Sequence, residues 1–575
     1  MRPYFRQAKS LGHLLQLSCK EWGSKTSHLV PTKGDFHPIS YTELWARVGQ
    51  YAKALQQLEL KKGDSINIYS ENSFDWALTD WAAQTLGVIT VPIYPTLPSD
   101  QAQYIVKDSG AKIVFCGKDE LKNRIGEMPG VKTILLSELK VMAESCVQDQ
   151  AEWDAHIQQV SLEDVATIIY TSGTTGNPKG AVLIHGGIVD TIANIRESIE
   201  LDENDTFLGF LPLSHVMERI NGHFLPVGLG ATLAYAQNLA SIGNDILKVK
   251  PTVMLAVPRF LEAMRGRILD GVQSAPPIRQ KLFKAALEQG TTKFRGGVAP
   301  LSGILDKLVG GKVRERLGGR FRFFVSGGAA LPAHVAEFFG AFGIQILQGY
   351  GLTETTSGIC VNRPKDSDYR TIGTPLKNIE MKIADDGEIL IRGKCNMICY
   401  YNLPEDTAAA IDPEGWFHTG DIGEQLANGK YQITDRKKDL LVLGNGKNVA
   451  PQIIENKLKE SIYIGEAVLF GDGMEYICGL IVPDFDRVKA YAEKAGIKTQ
   501  SDEELILHEP IKKLIKSEID RINKTLAPFE MVKKHVLLAK PFSLETGELT
   551  PSLKVKRRVV KENFKSEIAS MMRAQ

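Results

Sequence analysis

An α/β fold spread over more than one domain is the class this sequence predicts. Three observations carry it. Strand-like apolar runs alternate with helical periodicity from about Ser40, the chain is 575 residues long, and its character changes near Asp435. A single hydrophobic core rarely grows to this size, so two or more domains are expected. Strands separated by helices favour a mostly parallel sheet covered by helices.

The elements come in this order. Apolar residues recur at helical spacing from Tyr41 to Leu60, and Ser65-Ile-Asn-Ile-Tyr reads as a strand. Asp75 to Leu86 is helical, Val88 to Ile93 strand, Gln101 to Asp108 helix and Ala111 to Cys116 strand. A second series, Thr206 to Leu211, Val253 to Val257 and Phe321 to Val325, supplies further strands with helical stretches between. Near 435 the charged run Asp435-Arg-Lys-Lys-Asp439 separates the strand-like Tyr431-Gln-Ile-Thr and Leu440-Leu-Val-Leu. The C-terminal remainder of the chain is shorter and more basic, so a boundary is expected at about 435.

Composition narrows the classes of function. With 69 Lys+Arg against 68 Asp+Glu the net charge is +1, so no overall field favours nucleic acid. The seven cysteines are scattered, and Cys395 and Cys399 lack a second pair or nearby His for a zinc set, which suggests reduced thiols. The weakly polar stretch Phe224–Ala236 is broken by Pro226 and glycines and is too short to span a bilayer. The first residues lack the apolar core of a signal peptide. A cytoplasmic protein is expected, with peripheral contact to a membrane left open.

The segment with the most chemistry is Tyr170-Thr-Ser-Gly-Thr-Thr-Gly-Asn-Pro-Lys-Gly180, set between the apolar runs Val165–Ile169 and Ala181–Ile184. Its glycines let backbone N–H groups approach a polyphosphate, its hydroxyls donate hydrogen bonds, and Lys179 adds positive charge. It is not the Walker pattern, because Lys179 follows a proline and precedes Gly180.

Other motifs are spread along the chain. Leu211-Pro-Leu-Ser-His215 ends a strand, and His215 could border an apolar pocket. Ser326-Gly-Gly-Ala-Ala after Arg322-Phe-Phe-Val lets a flat ring lie against backbone. In Gln348-Gly-Tyr-Gly-Leu-Thr-Glu-Thr355 an aromatic could stack on a base, Thr353 could bond a phosphate, and Glu354 is a hard ligand suited to Mg²⁺. Trp416-Phe-His-Thr-Gly-Asp421 is expected to place a carboxylate after a tight turn, where it could accept two hydroxyls of a ribose, with Arg436 in reach of the same sugar. Lys554, in Thr550-Pro-Ser-Leu-Lys-Val-Lys-Arg557, could hold a carboxylate and a phosphate together.

The order of these motifs resembles the adenylate-forming superfamily from about residue 40 to 560. Leu213-Ser-His-Val-Met-Glu-Arg219, Val257-Pro-Arg-Phe-Leu-Glu262 and Gly446-Lys-Asn-Val-Ala-Pro451 are similar to its long-chain acyl-CoA synthetase branch. The resemblance implies a large N-terminal domain of stacked α/β sheets, 1–435, for ATP and the acyl substrate. It also implies a smaller mobile α+β domain, 436–575, carrying the catalytic lysine and serving the CoA step. Thr171, Ser172, Gly173, Thr174, Thr175 and Lys179 would hold the ATP phosphates, Gly328, Ala329 and Tyr350 the adenine, and Asp421 and Arg436 the ribose. Thr353 would contact the α-phosphate and Glu354 would bind Mg²⁺.

Lys554 would stabilise adenylate formation, Lys438 would be the hinge, and Leu443-Gly-Asn-Gly446 would approach the thiol arm of CoA. Many members carry Gly before the terminal lysine where this chain has Leu553, and Lys554 is preferred over Lys556 as the equivalent. No long anchor is expected before residue 40, unlike in some animal members. The implied reaction converts a fatty acid, ATP and CoA to acyl-CoA, AMP and pyrophosphate. Loading of a carrier protein, activation of another carboxylic acid and a homodimer remain open at this point.

Overall fold

The computed structural model describes residues 4–171, 177–543, 545–550 and 554–573. The chain divides into two compact units. The first comprises residues 1–382, 390–418 and 427–431; the second comprises 383–389, 419–426 and 432–575.

The first unit is built on two large sheets. One has seven strands in the order Cys399–Tyr400, Lys179–Ile184, Val165–Thr171, Ile89–Ile93, Ser65–Tyr69, Ile113–Cys116, Lys132–Leu135. Its middle is parallel, and Val165–Thr171 and Lys179–Ile184 pair antiparallel. The other has nine strands, with a parallel centre running from Gln345–Leu352 through Phe323–Ser326, Val253–Ala256, Thr206–Gly209 and Thr232–Tyr235 to Thr26–Pro31. The expected strands thus occur, trimmed by a residue or two at their ends. The alternation also begins before Ser40: Thr26–Pro31 and Phe36–Ser40 form one edge of the larger sheet.

Local chemistry accounts for where helices start. Ser40 accepts a hydrogen bond from the Glu43 N–H while the Glu43 carboxylate accepts one from the Ser40 N–H, a reciprocal cap that opens helix Tyr41–Gln57. Ser73 caps Phe74–Leu86, a helix buried along its whole length except at Asp75, with the polar Thr79, Asp80, Gln84 and Thr85 buried among its apolar residues. Proline occupies the first turn of Pro258–Gln273 and of Pro451–Leu458, where its missing N–H costs no hydrogen bond. The stretch Phe224–Ala236 is a π-turn, a short helix and a strand, all within the first unit.

A buried charge network crosses the interior of this unit. Arg219 donates through Nε and Nη2 to both oxygens of Asp80, at 2.8 and 2.5 Å, and through Nη1 to Thr167 Oγ1 at 2.5 Å. Burial alone would push the Asp80 carboxyl up, but Arg219 and His223 outweigh it and hold it below the usual range. Nearby Glu218 is fully buried, and burial raises its pKa well above the ordinary value. Arg219 opens the π-turn Arg219–Phe224, a local irregularity often found at functional sites.

The second unit contains a three-stranded sheet in the order Ile464–Phe470, Ile477–Pro483, Val532–Leu537. Two apolar clusters hold it. One includes Leu469, Ile481, Ile511, Ile515 and Ile519; the other includes Phe470, Leu480, Val560 and Ile568. Apolar residues at 511, 515, 519 and 522 mark the inner face of helix Glu509–Asn523 at helical spacing.

Candidate active site

The glycine loop is carried on the antiparallel pair Val165–Thr171 and Lys179–Ile184, in which Thr171 lies opposite Lys179. Ser172, Gly173, Thr174 and Thr175 lie outside the described residues. At the lip, the Lys179 ammonium pairs with Asp406 on helix Pro404–Ala410 and sits 5.4 Å from the centre of the Tyr400 ring. The Tyr400 hydroxyl donates to Glu354 Oε1 at 2.8 Å. Burial, then the Glu354 charge, raises the Tyr400 pKa far above its ordinary value, so the hydroxyl stays a donor. One tyrosine therefore joins the loop lysine to the expected metal ligand.

Neither Tyr400 nor Asp406 stood out in the sequence. Their partners lie 46 and 227 positions away, and only the short strand Cys399–Tyr400, added to the sheet edge beside Lys179–Ile184, brings them to the loop.

Glu354 is placed by a constrained backbone. Strand Gln345–Leu352 runs into the turn Thr353–Thr355, and Thr356 and Ser357 come next with φ of 52° and 77°. Leu352 N–H donates to Thr355 Oγ1 at 2.9 Å, closing the turn on itself. A Cβ on Gly351 would lie 1.5 Å from the Ser357 carbonyl oxygen, so this position admits only glycine. Thr353 and Glu354 are half-buried.

The expected adenine wall assembles from adjacent strands of the larger sheet. Ser326 lies opposite Gln348, which places the turn carrying Gly328 and Ala329 beside the strand carrying Tyr350. Gln348 fixes that turn by accepting from the Leu331 N–H at 2.8 Å and donating to the Thr371 carbonyl at 2.9 Å. Gly328 and Ala329 are exposed, whereas Tyr350 is buried.

His215 is half-buried. The Met217 N–H donates to its Nδ1 at 3.1 Å, which leaves Nε2 to carry the proton, and its ring meets Tyr94 edge-on at 6.3 Å.

In the second unit Asp421 and Arg436 come together, with Arg436 Nε 3.1 Å from Asp421 Oδ1. Asp421 is not after a turn as expected but within strand Phe417–Gln425. The irregularity lies one residue earlier, at Gly420 with φ of 69°. Its peptide donates to Glu388 Oε1 and accepts from Lys437 N–H, both at 2.8 Å. Lys437 pairs with Asp386 and Glu388 at 2.6 and 2.9 Å, while Lys438 is exposed in the turn between Lys437 and Asp439.

Leu443 to Gly446 forms the turn between strands Leu441–Val442 and Asn448–Val449. Lys554 is exposed; its N–H donates to Thr550 Oγ1 at 3.0 Å and its carbonyl accepts from Thr550 N–H at 2.7 Å. Lys556 differs, since its N–H donates to Glu548 O and it precedes helix Arg557–Asn563.

Residues 16–401 match the AMP-binding enzyme family, and residues 438–575 match the AMP-binding enzyme C-terminal domain. Two curated proteins extend the likeness along the chain. Long chain acyl-CoA synthetase 6, peroxisomal, from Arabidopsis thaliana is 32% identical, covering 94% of this chain and 82% of that one. Long-chain-fatty-acid–CoA ligase FadD15 from Mycobacterium bovis is also 32% identical, covering 94% and 93%. The chain belongs to the long-chain acyl-CoA synthetases of the AMP-binding enzyme family.

The architecture of this synthetase is shared with ATP-bound MatB from Rhodopseudomonas palustris, at 22% identity and a TM-score of 0.74 over 97% of this chain and 99% of that one. That likeness concerns the fold. Among the described residues of the synthetase, no helix is long and apolar enough to cross a membrane.

Proposed function

We propose that this protein activates a fatty acid with ATP and passes the acyl group to CoA. The observation that carries the reading is the meeting at Tyr400 of Lys179, at the base of the glycine loop, with Glu354. A lysine suited to phosphate and a carboxylate suited to Mg²⁺ thus share one tyrosine, which supports the reading in a chain of this family.

In the first step a carboxylate oxygen of the acid attacks the α-phosphorus of ATP. The bond from that phosphorus to the oxygen bridging the α- and β-phosphates breaks, and pyrophosphate leaves, giving acyl-AMP. The carboxylate is itself the nucleophile, so no general base is required. Thr171 and Lys179, with Ser172, Gly173, Thr174 and Thr175, hold the phosphates. Thr353 contacts the α-phosphate, Gly328, Ala329 and Tyr350 border the adenine, Asp421 and Arg436 take the ribose, and His215 borders the acyl chain.

Glu354 suits Mg²⁺, which is commonly held by one or two carboxylates plus phosphate oxygens while keeping several waters. The Tyr400 hydroxyl occupies one lone pair of Oε1 and fixes how the carboxylate is turned. When bound, the ion offsets charge on the phosphates.

In the second step the sulfur of CoA attacks the acyl carbon, the thiol proton is lost, and AMP leaves. Labour divides between an N-terminal part, 1–435, and a mobile part, 436–575, that turns about Lys438 between the two steps. Lys554 supplies positive charge to the first step, and the 443–446 turn serves the second.

Lys554→Ala tests this. Acyl-AMP formation, measured by pyrophosphate release, should fall steeply, while transfer from supplied acyl-AMP to CoA should be largely spared. Equal loss in both half-reactions would remove Lys554 from its assigned role. Absence of any CoA thioester from fatty acid and ATP, in the unaltered protein, would overturn the reading as a whole.

A further inference from the structure

Lys179 is placed to serve phosphates, yet its ammonium is already engaged by a carboxylate. It pairs with Asp406, 227 positions later in the chain. Both partners are half-exposed, with 34% of the Lys179 side chain and 38% of the Asp406 side chain open to solvent. A pair in this setting is weak, and a stronger anion can displace one member of it. The pair of Arg219 with Asp80 is of the opposite kind, with side chains 1 and 0% exposed.

Asp406 is held in place by the backbone around it. Tyr401 N–H donates to the Gly180 carbonyl at 2.7 Å and Ile398 N–H to the Val182 carbonyl at 3.0 Å. These bonds tie residues 398–401 to the strand that carries Lys179. Helix Pro404–Ala410 is fastened to the same segment at Thr407. The Thr407 hydroxyl accepts from Tyr400 N–H at 2.9 Å and donates to the Leu403 carbonyl at 2.8 Å. Asp406 precedes Thr407 on this helix, so a short, hydrogen-bonded connection delivers its carboxylate to the lysine.

Two carboxylates thus act around Tyr400, and they take different partners. Glu354 accepts the Tyr400 hydroxyl at 2.8 Å and suits Mg²⁺. Asp406 takes the ammonium. Burial, then Glu354 and last Asp406, raise the Tyr400 pKa, so the fields of both carboxylates reach the one ring.

We propose that Asp406 is a counter-ion that exchanges Lys179 with the phosphates, yielding the ammonium when ATP binds and taking it back as pyrophosphate leaves. This role rests on Lys179 serving phosphates as proposed above. Asp406 touches neither substrate nor reacting atoms; it is a positioning residue that acts through Lys179. To bind, ATP has to break the ion pair and bring further negative charge beside a carboxylate. ATP and pyrophosphate are both held less tightly than the lysine alone would hold them. AMP keeps only the phosphate assigned to Thr353, so Asp406 does not oppose it. The arrangement favours departure of pyrophosphate over departure of the adenylate.

Pyrophosphate exchange and product inhibition are measured on the full chain, unaltered and with Asp406→Asn, Asp406→Ser or Asp406→Glu. In Asp406→Asn the KM for ATP and the inhibition constant of pyrophosphate should both fall about two- to fivefold, the range set by a half-exposed ion pair. The inhibition constant of AMP should not move. High salt should narrow the difference from the unaltered enzyme. Asp406→Ser, which also lacks the charge, should shift the constants the same way, and Asp406→Glu should return them toward the unaltered values. A rise in the KM for ATP on losing the carboxylate would mean that Asp406 aims the lysine, and would overturn the proposal. An unmoved pyrophosphate constant, an equal shift for AMP, or a loss of kcat alone would overturn it too, and in an enzyme that still uses ATP would leave the reading of Lys179 standing. An unaltered chain that binds no ATP would remove both.

Discussion

Tyr400→Phe removes a single oxygen from the junction of the proposed ATP site. The phenyl ring that replaces it still lies under the Lys179 ammonium, so the cation–ring contact at 5.4 Å persists while the 2.8 Å hydrogen bond to Glu354 is lost. Hydrogen bonds to a charged group contribute about 1.5–3 kcal/mol, and the half-buried setting of both residues places this one at the lower end. A difference of about 1.4 kcal/mol is tenfold in an equilibrium constant, and loss of a group that orients a metal ligand costs about 10–100-fold in metal affinity. The Mg²⁺ concentration giving half-maximal acyl-AMP formation should therefore rise about tenfold. Pyrophosphate exchange at fixed ATP, titrated with Mg²⁺, reads it directly, and the CoA dependence of the second step should not move. Tyr400→Leu removes the ring as well and should further weaken ATP by about 0.5–1 kcal/mol. A Tyr400→Phe enzyme that titrates with Mg²⁺ like the unaltered one would refute the link between Tyr400 and Glu354.

Two further expectations concern stability. Arg219→Met leaves Asp80 charged and buried, and such a loss costs about 3–5 kcal/mol, whereas Asp80→Leu with Arg219→Met should recover most of it. Urea unfolding followed by tryptophan fluorescence suits the test because the guanidinium lies 5.7 Å from the Trp76 ring, and a double variant weaker than either single one would contradict it. Asp435 is pushed up to about 6 by burial, from 3.8, so its contribution to stability is full below about 3.8 and lost as pH rises through 6. Asp435→Asn should thus melt higher than the unaltered chain at pH 7, by on the order of 2 kcal/mol, with the gain fading toward pH 4. Parallel melting curves across that range would argue against a proton held at Asp435.

Much of the first unit was legible because its signals are local. Ile113–Cys116 is an apolar run buried along its whole length, which is recognised without its partner, and Ser65–Tyr69 shows the alternation of a strand with Ile66 and Ile68 in step. The Gly351 requirement was likewise foreshadowed by glycines framing Tyr350. Long-range pairings left no such trace. Asp80 and Arg219 are 139 positions apart, and an arginine set among Glu218, Asn221 and His223 reads as part of a polar stretch until its partner is known. The first forty residues gave no hint that they edge the larger sheet, since Phe36–Ser40 contains a proline and exposed polar positions. The visits of the chain to the second unit at 383–389 and 419–426 are too short to change composition.

The salt bridge at Asp80 has a practical consequence for anyone dividing the gene. Asp80 and Thr167 come from the smaller sheet and its crossover helix, and Arg219 comes from the connection between two strands of the larger one. A fragment ending between residues 80 and 219 would expose a greasy interior and strand a formal charge inside it. Split reporters and fragment-complementation pairs built with a break in that interval should aggregate rather than fold.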